Sequence, residues 1–150
     1  GTIAVQLAKH LGAEVTGVCG TKNLELVKSL GADKILDYTD RASVAKLETY
    51  DFILDSVGKR RTSELKEACK NALRQNGRYV SIDDGALELN SDRLNKIREL
   101  IESGKVKPIT DKCYPFEQMV EAHKYVELGH KKGNVAITVN QKISTIASTV

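Results

Sequence analysis

Ile3, Leu7 and Leu11 recur every four residues with Ala4 and Ala8 beside them, predicting an apolar stripe on a helix that Gly12 ends. Residues 13–19 (Ala-Glu-Val-Thr-Gly-Val-Cys) then read as a short buried strand. The step repeats: Leu24, Val27 and Leu30 predict a second helix, Gly31 its end, and Ile35-Leu36 a second strand. Even the junctions match, Leu11-Gly12-Ala13-Glu14 against Leu30-Gly31-Ala32-Asp33. Their spacing is short for a solenoid repeat, so they read as successive helix–strand steps of one α/β sheet.

The alternation continues. Leu47 closes a short helix, and residues 50–55 form a strand that enters a turn at Val57-Gly58. Leu65, Ala68, Cys69, Ala72 and Leu73 line one face of the next helix, Asn76-Gly77 marks its exit, and residues 78–82 form a strand. Ser91 is the expected cap of a helix carrying Leu94, Ile97, Leu100 and Ile101, ended near Gly104. Phe116, Met119, Val120 and His123 predict a further helix, and residues 135–139 a last strand. Pro108 and Pro115 fall together in a stretch expected to be irregular. Strands alternating with helices argue for a doubly wound parallel sheet covered on both faces, and no linker divides it.

Composition narrows the class rather than the function. With 150 residues, 41% hydrophobic and 29% charged, the chain is ordinary for one domain able to bury a core without staples. No apolar run approaches the roughly 20 residues that span a bilayer, so no membrane role is expected. The net charge of +3 comes from 23 basic and 20 acidic residues that are interspersed, which predicts no nucleic-acid partner. The basic cluster Lys59-Arg60-Arg61 is expected on a solvated face. Cys19, Cys69 and Cys113 are odd in number, far apart and without C-x-x-C spacing, which argues against disulfides and structural zinc and suits the cytoplasm. The uncharged, β-branched residues 143–150 read as a loose tail or a strand-pairing segment.

In open α/β sheets ligands sit beyond the carboxyl ends of the strands, which directs attention to residues 19–23, 37–39, 55–58 and 81–85. A dinucleotide site needs a glycine-rich turn before its first helix, where backbone approaches the pyrophosphate. Gly1 suits the last glycine of such a turn. At the end of the following strand, NAD wants an acidic residue, whereas a 2′-phosphate wants cationic and hydroxyl donors. Cys19-Gly20-Thr21-Lys22-Asn23 contains no carboxylate; Thr21 and Asn23 offer hydrogen bonds and Lys22 charge. The same letters also suit a plain turn that starts a helix. Among the histidines, His10 is expected on an exposed helix face, His123 in the core and His130 in a loop; none recommends a catalytic role.

The runs Gly1-Thr2-Ile3-Ala4-Val5-Gln6-Leu7-Ala8-Lys9, Gly17-Val18-Cys19-Gly20-Thr21-Lys22-Asn23, Asp37-Tyr38, Val57-Gly58, Ile101-Glu102-Ser103-Gly104-Lys105 and Gly129-His130-Lys131-Lys132-Gly133-Asn134-Val135 together resemble the cofactor domain of the medium-chain dehydrogenase/reductase superfamily. The branch most similar is that of the NADPH-dependent quinone oxidoreductases and their alcohol dehydrogenase-like relatives. The resemblance implies a Rossmann-like, doubly wound parallel sheet over residues 1–139 with a tail at 140–150. It implies that the first strand, most of the glycine-rich turn and the catalytic domain lie outside the chain. Carried over position by position, it places Gly1 at the phosphate turn and Thr21, Lys22 and Asn23 at the 2′-phosphate. Tyr38 falls near the adenosine, and Val57, Gly58, Ser81 and Ile82 along the ribose and nicotinamide. Asn134 stands where the family more often has lysine, and the segment 83–90 is shorter than the family's.

The implied activity is hydride transfer from NADPH to a quinone, enone or other carbonyl, with no zinc in this chain and the small-molecule substrate met through the catalytic domain. A homo-oligomer is implied as well. By itself the chain is expected to have no turnover. The alternative is a non-catalytic nucleotide-binding or interaction module on the same scaffold. A methyltransferase-like domain would leave the resemblance past residue 100 unexplained.

Overall fold

Short helices alternate with short parallel strands along the chain, as an α/β fold requires. The computed structural model describes residues 1–59, 63–85 and 90–139. Contacts divide it into two compact units, Gly1–Lys107 and Pro108–Val150, with the boundary in the stretch expected to be irregular.

The first unit runs α1 (Thr2–His10), β1 (Thr16–Cys19), α2 (Leu24–Ser29), β2 (Lys34–Asp37), β3 (Tyr50–Asp55), α3 (Glu64–Asn71), β4 (Leu73–Ser81) and α4 (Ser91–Glu102). Gly12 and Gly31 end the first two helix patterns in left-handed backbone, as expected. Lys9 lies in the last turn of α1, where a cation meets the negative end of the helix dipole. Lys9 Nζ lies 2.8 Å from the Asp33 carboxylate, which also accepts the Val15 N–H at 2.7 Å, tying α1 to the starts of β1 and β2. The Lys9 bond, then the Val15 amide, holds the Asp33 carboxyl below the usual range. Gly17 lets α2 lie directly on β1: a Cβ there would overlap Val27 Cγ1.

β1 and β2 pair in parallel from Thr16↔Lys34 to Cys19↔Asp37. β3 and β4 pair in parallel through Phe52↔Arg78 to Asp55↔Ser81, after a register shift that follows Tyr50↔Leu73. That shift corrects the expected helix exit. α3 stops at Asn71, and Asn76, with a φ of 69°, lies inside β4 as an irregularity rather than at a helix end. The expected helix closing at Leu47 is a 3-10 segment, Arg41–Lys46. α4 is capped not by Ser91 but by Asn90, whose side-chain oxygen accepts the N–H groups of Asp92 and Arg93 at 2.8 and 3.2 Å.

The second unit contains β5 (Thr110–Pro115), α5 (Met119–Glu127) and β6 (Asn134–Thr138), with β5 and β6 parallel from Thr110↔Asn134 to Pro115↔Thr138. β5 replaces the irregular stretch that its prolines predict. Pro115 sits at its last position and Pro108 outside it, where a missing N–H interrupts no ladder.

Among the described residues the three parallel pairs are separate ladders: no described strand bridges β1 and β3. The core of the first unit centres on Leu36, Leu65, Leu100 and Val106; in the second Ala122 is buried. Phe52 and Leu54, alternate residues on one face of β3, stay exposed, so that face is not covered as the parallel pattern anticipates. Nor is the α1 stripe buried: Leu7 and Leu11 line an open apolar groove with Ile97 and Leu100 of α4. Residues 140–150, and with them the predicted tail, lie outside the described residues, as do Arg60, Arg61 and residues 86–89. No described helix is long and apolar enough to cross a membrane.

Candidate functional site

The parallel pairs of the first unit present their carboxyl ends as two clusters. At the β1–β2 end the Tyr38 N–H donates to the Cys19 carbonyl at 3.0 Å, bringing the tyrosine against Gly20. A Cβ on Gly20 would lie 3.0 Å from the Tyr38 hydroxyl and 3.2 Å from its Cζ, so glycine makes room for the ring. Thr21, Lys22 and Asn23 form a 3-10 turn that leads into α2.

The carboxylate absent from residues 19–23 arrives from β2. Asp37 accepts the hydroxyls of Thr21 and Thr39, each at 2.6 Å, and the Thr39 N–H at 2.9 Å. The Thr21 bond, then the Thr39 bonds, hold its carboxyl below the usual range. The Thr21 hydroxyl has one proton, and Asp37 takes it. Thr21 therefore braces the turn, and the donation to an anion that its sequence position suggests is not open to it in this arrangement. Lys22 and Tyr38 are exposed, whereas Asn23 is half-buried and its Oδ1 is a buried acceptor without a hydrogen-bond partner. Burial, then the Asp37 charge, pushes the Cys19 thiol up, so it is no poised nucleophile.

At the β3–β4 end the polar groups are bound to one another. Asp55 Oδ1 accepts the N–H groups of Val57 and Gly58 at 3.0 and 3.1 Å. Its Oδ2 meets the Lys66 ammonium at 2.8 Å and the Tyr79 hydroxyl at 3.0 Å. Burial alone would raise this carboxyl, whose side chain is 8% exposed; the Lys66 ammonium and the two backbone amides outweigh burial and bring it to about 2. Burial, then the bond to Asp55, pushes the Tyr79 phenol up to about 12. Gly58 has a φ of 71°, and a Cβ there would come within 2.8 Å of the Asp83 Cγ, whose carboxylate accepts the Lys59 N–H. Ser81 is buried, and its N–H donates to Asp84 at 2.7 Å. Val57 and Ile82 project outward, 51% and 60% exposed. Gly1 stands beside this turn: a Cβ on it would lie 3.7 Å from Ser56 Oγ.

The predicted positions thus divide between two strand ends, Thr21, Lys22, Asn23 and Tyr38 at one, and Gly1, Val57, Gly58, Ser81 and Ile82 at the other. Sequence reasoning missed Lys66 and Tyr79, which face Asp55 from α3 and β4. The only available signal was that Asp37 and Asp55 each end a strand. In the second unit Asn134 is structural, donating from backbone and side chain to the Ile109 carbonyl at 2.7 and 3.1 Å. His123 corrects the core expectation: Ala122 takes the buried position and His123 is exposed at the rim of a cavity. His10 is exposed and His130 lies outside helix and strand, as expected. Among the described residues no three His, Cys, Asp or Glu side chains converge as metal ligands.

Residues 1–106 match the family model of the zinc-binding dehydrogenases, and residues 84–137 match a second model of the same description. The chain is 32% identical, over 91% of its length, to the NADPH-dependent alkenal/one oxidoreductase, chloroplastic, of Arabidopsis thaliana, of which it covers 37%. It is also 32% identical, over 93% of its length, to the NAD(P)H oxidoreductase RTN4IP1, mitochondrial, of Bos taurus, covering 45% of that protein. The crystal structure of an NAD-dependent alcohol dehydrogenase superposes with a TM-score of 0.76 at 25% identity, over 93% of this chain and 48% of that one. The chain spans less than half the length of each of these relatives. By its Rossmann-like alternation and the family model that matches residues 1–106, the chain belongs to the zinc-binding dehydrogenases of the medium-chain dehydrogenase/reductase superfamily.

Proposed function

We propose that the chain binds NADPH as the nucleotide-holding part of a reductase acting on an enone, quinone or other carbonyl. The observation that carries this reading is the β1–β2 end. Residues 19–23 hold exposed Lys22 and no carboxylate, and Asp37, which ends β2, is braced by Thr21 and Thr39. A 2′-hydroxyl therefore finds no carboxylate within that turn, while a 2′-phosphate finds a cation. The unpartnered Asn23 oxygen fits a ligand that donates a hydrogen bond to this turn. Tyr38 offers its ring face to the adenosine, and Val57 and Ile82 offer apolar contact to the nicotinamide end. Gly1, without a side chain, stands at the start of α1, where a pyrophosphate would rest.

When bound, NADPH supplies the hydride; the chain's residues hold it in register. The described residues contain no donor set that fits zinc, and none of these roles runs through a metal. The alkenal/one oxidoreductase among the relatives favours the enone as substrate class. At the β3–β4 end Asp55 is committed to Tyr79 and Lys66, and turnover by these 150 residues alone is not expected. The three cysteines fit a reducing compartment, and we place the protein in the cytoplasm.

Titrating the chain with NADPH and NADH tests the reading. NADPH should bind tighter by about tenfold, the contribution of one charge-assisted contact. Equal affinity would overturn the NADP assignment, and absence of both would overturn nucleotide binding. NADPH oxidation by the chain with a panel of enones and quinones should be nil.

A further inference from the structure

The turn after β3 is held by a residue that no motif points to. The Gly58 backbone is permissive, so its conformation must be imposed by its partners. The described partners converge on two groups. The Val57 and Gly58 N–H groups go to Asp55 Oδ1, the Lys59 N–H goes to Asp83, and the Gly58 carbonyl accepts from Lys66 Nζ at 2.5 Å. Lys66 also carries the ion pair to Asp55 Oδ2, with the two side chains only 17% and 8% exposed. One ammonium from α3 thus holds both the carboxylate that collects the turn's amides and the carbonyl that leaves the turn.

We propose that Lys66 is a positioning residue for nucleotide binding: through Asp55 and the Gly58 carbonyl it sets the backbone that directs Val57 toward the cofactor. This rests on the nucleotide-binding reading above. Removing the ammonium would leave Asp55 nearly buried without its counter-charge and the Gly58 carbonyl without this donor, freeing the peptide after Gly58 to rotate. The effect should fall on the part of the cofactor that NADPH and NADH share.

The test compares Lys66→Met, Lys66→Gln and Lys66→Arg with Lys34→Met, which removes an exposed cation paired with Glu14 and Glu48. Amide exchange is followed by NMR, and NADPH and NADH affinities by titration of the full chain. Lys66→Met should speed exchange at Val57 and Gly58 relative to Tyr38 and weaken both nucleotides by about tenfold, the cost of leaving one buried polar group unsatisfied. Lys66→Arg, which keeps charge and donors, should remain within about threefold of wild type, and Lys34→Met within about twofold. Should Lys66→Met not fold, Lys66→Gln carries the test, with an expected loss of about threefold in both affinities. Exchange that rises uniformly across the unit, or affinities unchanged in Lys66→Met and Lys66→Gln while wild type binds, would overturn the proposal alone. Failure of wild type to bind either nucleotide would overturn the nucleotide reading and this proposal with it.

Discussion

Asp37 and Asp55 occupy equivalent places as the last residues of β2 and β3, and each accepts the N–H of the residue two positions on. Their remaining partners differ. Asp37 gathers two threonine hydroxyls at the surface, whereas Asp55 takes a lysine ammonium and a phenol with its side chain nearly buried. Hydroxyls can brace a carboxylate in contact with water; a carboxylate withdrawn from water needs a counter-charge. The consequence for a ligand is opposite at the two ends. Around Asp37 the exposed groups are Lys22 and Tyr38, which read charge and ring. Around Asp55 the polar groups satisfy one another, and the exposed Val57 and Ile82 offer apolar contact, which reads shape.

The widest separation between the ends should appear when each carboxylate is removed. Asp55→Ala takes the carboxylate from Lys66 and the acceptor from the Val57 and Gly58 amides, and should cost about 2 kcal/mol, below the usual cost of a broken buried pair because water still reaches Lys66. Asp37→Ala, at the surface, should shift the urea midpoint by less than half as much. Similar midpoints for the two variants would break the comparison.

Acid sharpens it. The Asp55 carboxyl is lowered to about 2, so its stabilisation is complete above the unfolded value near pH 4 and disappears as pH falls through 2. The stability gap between wild type and Asp55→Asn should therefore be constant from pH 7 to about 5 and close between about 4 and 2. Urea denaturation at pH 7, 4 and 2.5 measures it. A gap that persists unchanged at pH 2.5 would show that Asp55 does not act through its charge.

The two glycines extend the contrast. Gly58→Ala meets a positive φ and the Asp83 carboxylate, so about 1.5 kcal/mol of stability should be lost. Gly20→Ala meets only the exposed Tyr38 ring, which gives way, and should cost less than about 0.5 kcal/mol while weakening nucleotide binding. Thermal melts of the two variants decide it.

Much of this was legible in the sequence because glycines punctuate it. Gly12 and Gly31 end helix patterns and turn the chain into β1 and β2, so the parallel α/β alternation is local information. β5 was not legible: Thr-Asp-Lys-Cys-Tyr-Pro has no apolar alternation, and its ladder to β6 supplies what its letters lack. Which strand edges meet was not legible, since alternation dictates the elements and not their pairing. At the site, strand-end positions followed from the rule for α/β ligands, and side-chain commitments did not. Thr21 looks like a donor until β2 brings Asp37 within 2.6 Å of it, and Lys66 looks like any helix lysine until α3 turns it onto Asp55.

The smallest expected effect bears on function most directly. Lys22→Glu replaces the exposed cation at the β1–β2 end and leaves the Asp55 cluster untouched, so stability should change little. If Lys22 faces a 2′-phosphate, the reversed charge should weaken NADPH about tenfold more than NADH, a preference lost rather than an affinity lost. Lys66→Met should do the converse, weakening both nucleotides alike while loosening one turn. The two variants measured side by side give a ratio of ratios that neither global unfolding nor a general change of net charge can imitate, because each of those lowers NADPH and NADH without exchanging the roles of the two strand ends. Equal loss for both nucleotides in Lys22→Glu would move the charge reading away from Lys22 and leave Tyr38 and Asn23 as the residues that meet the adenosine end.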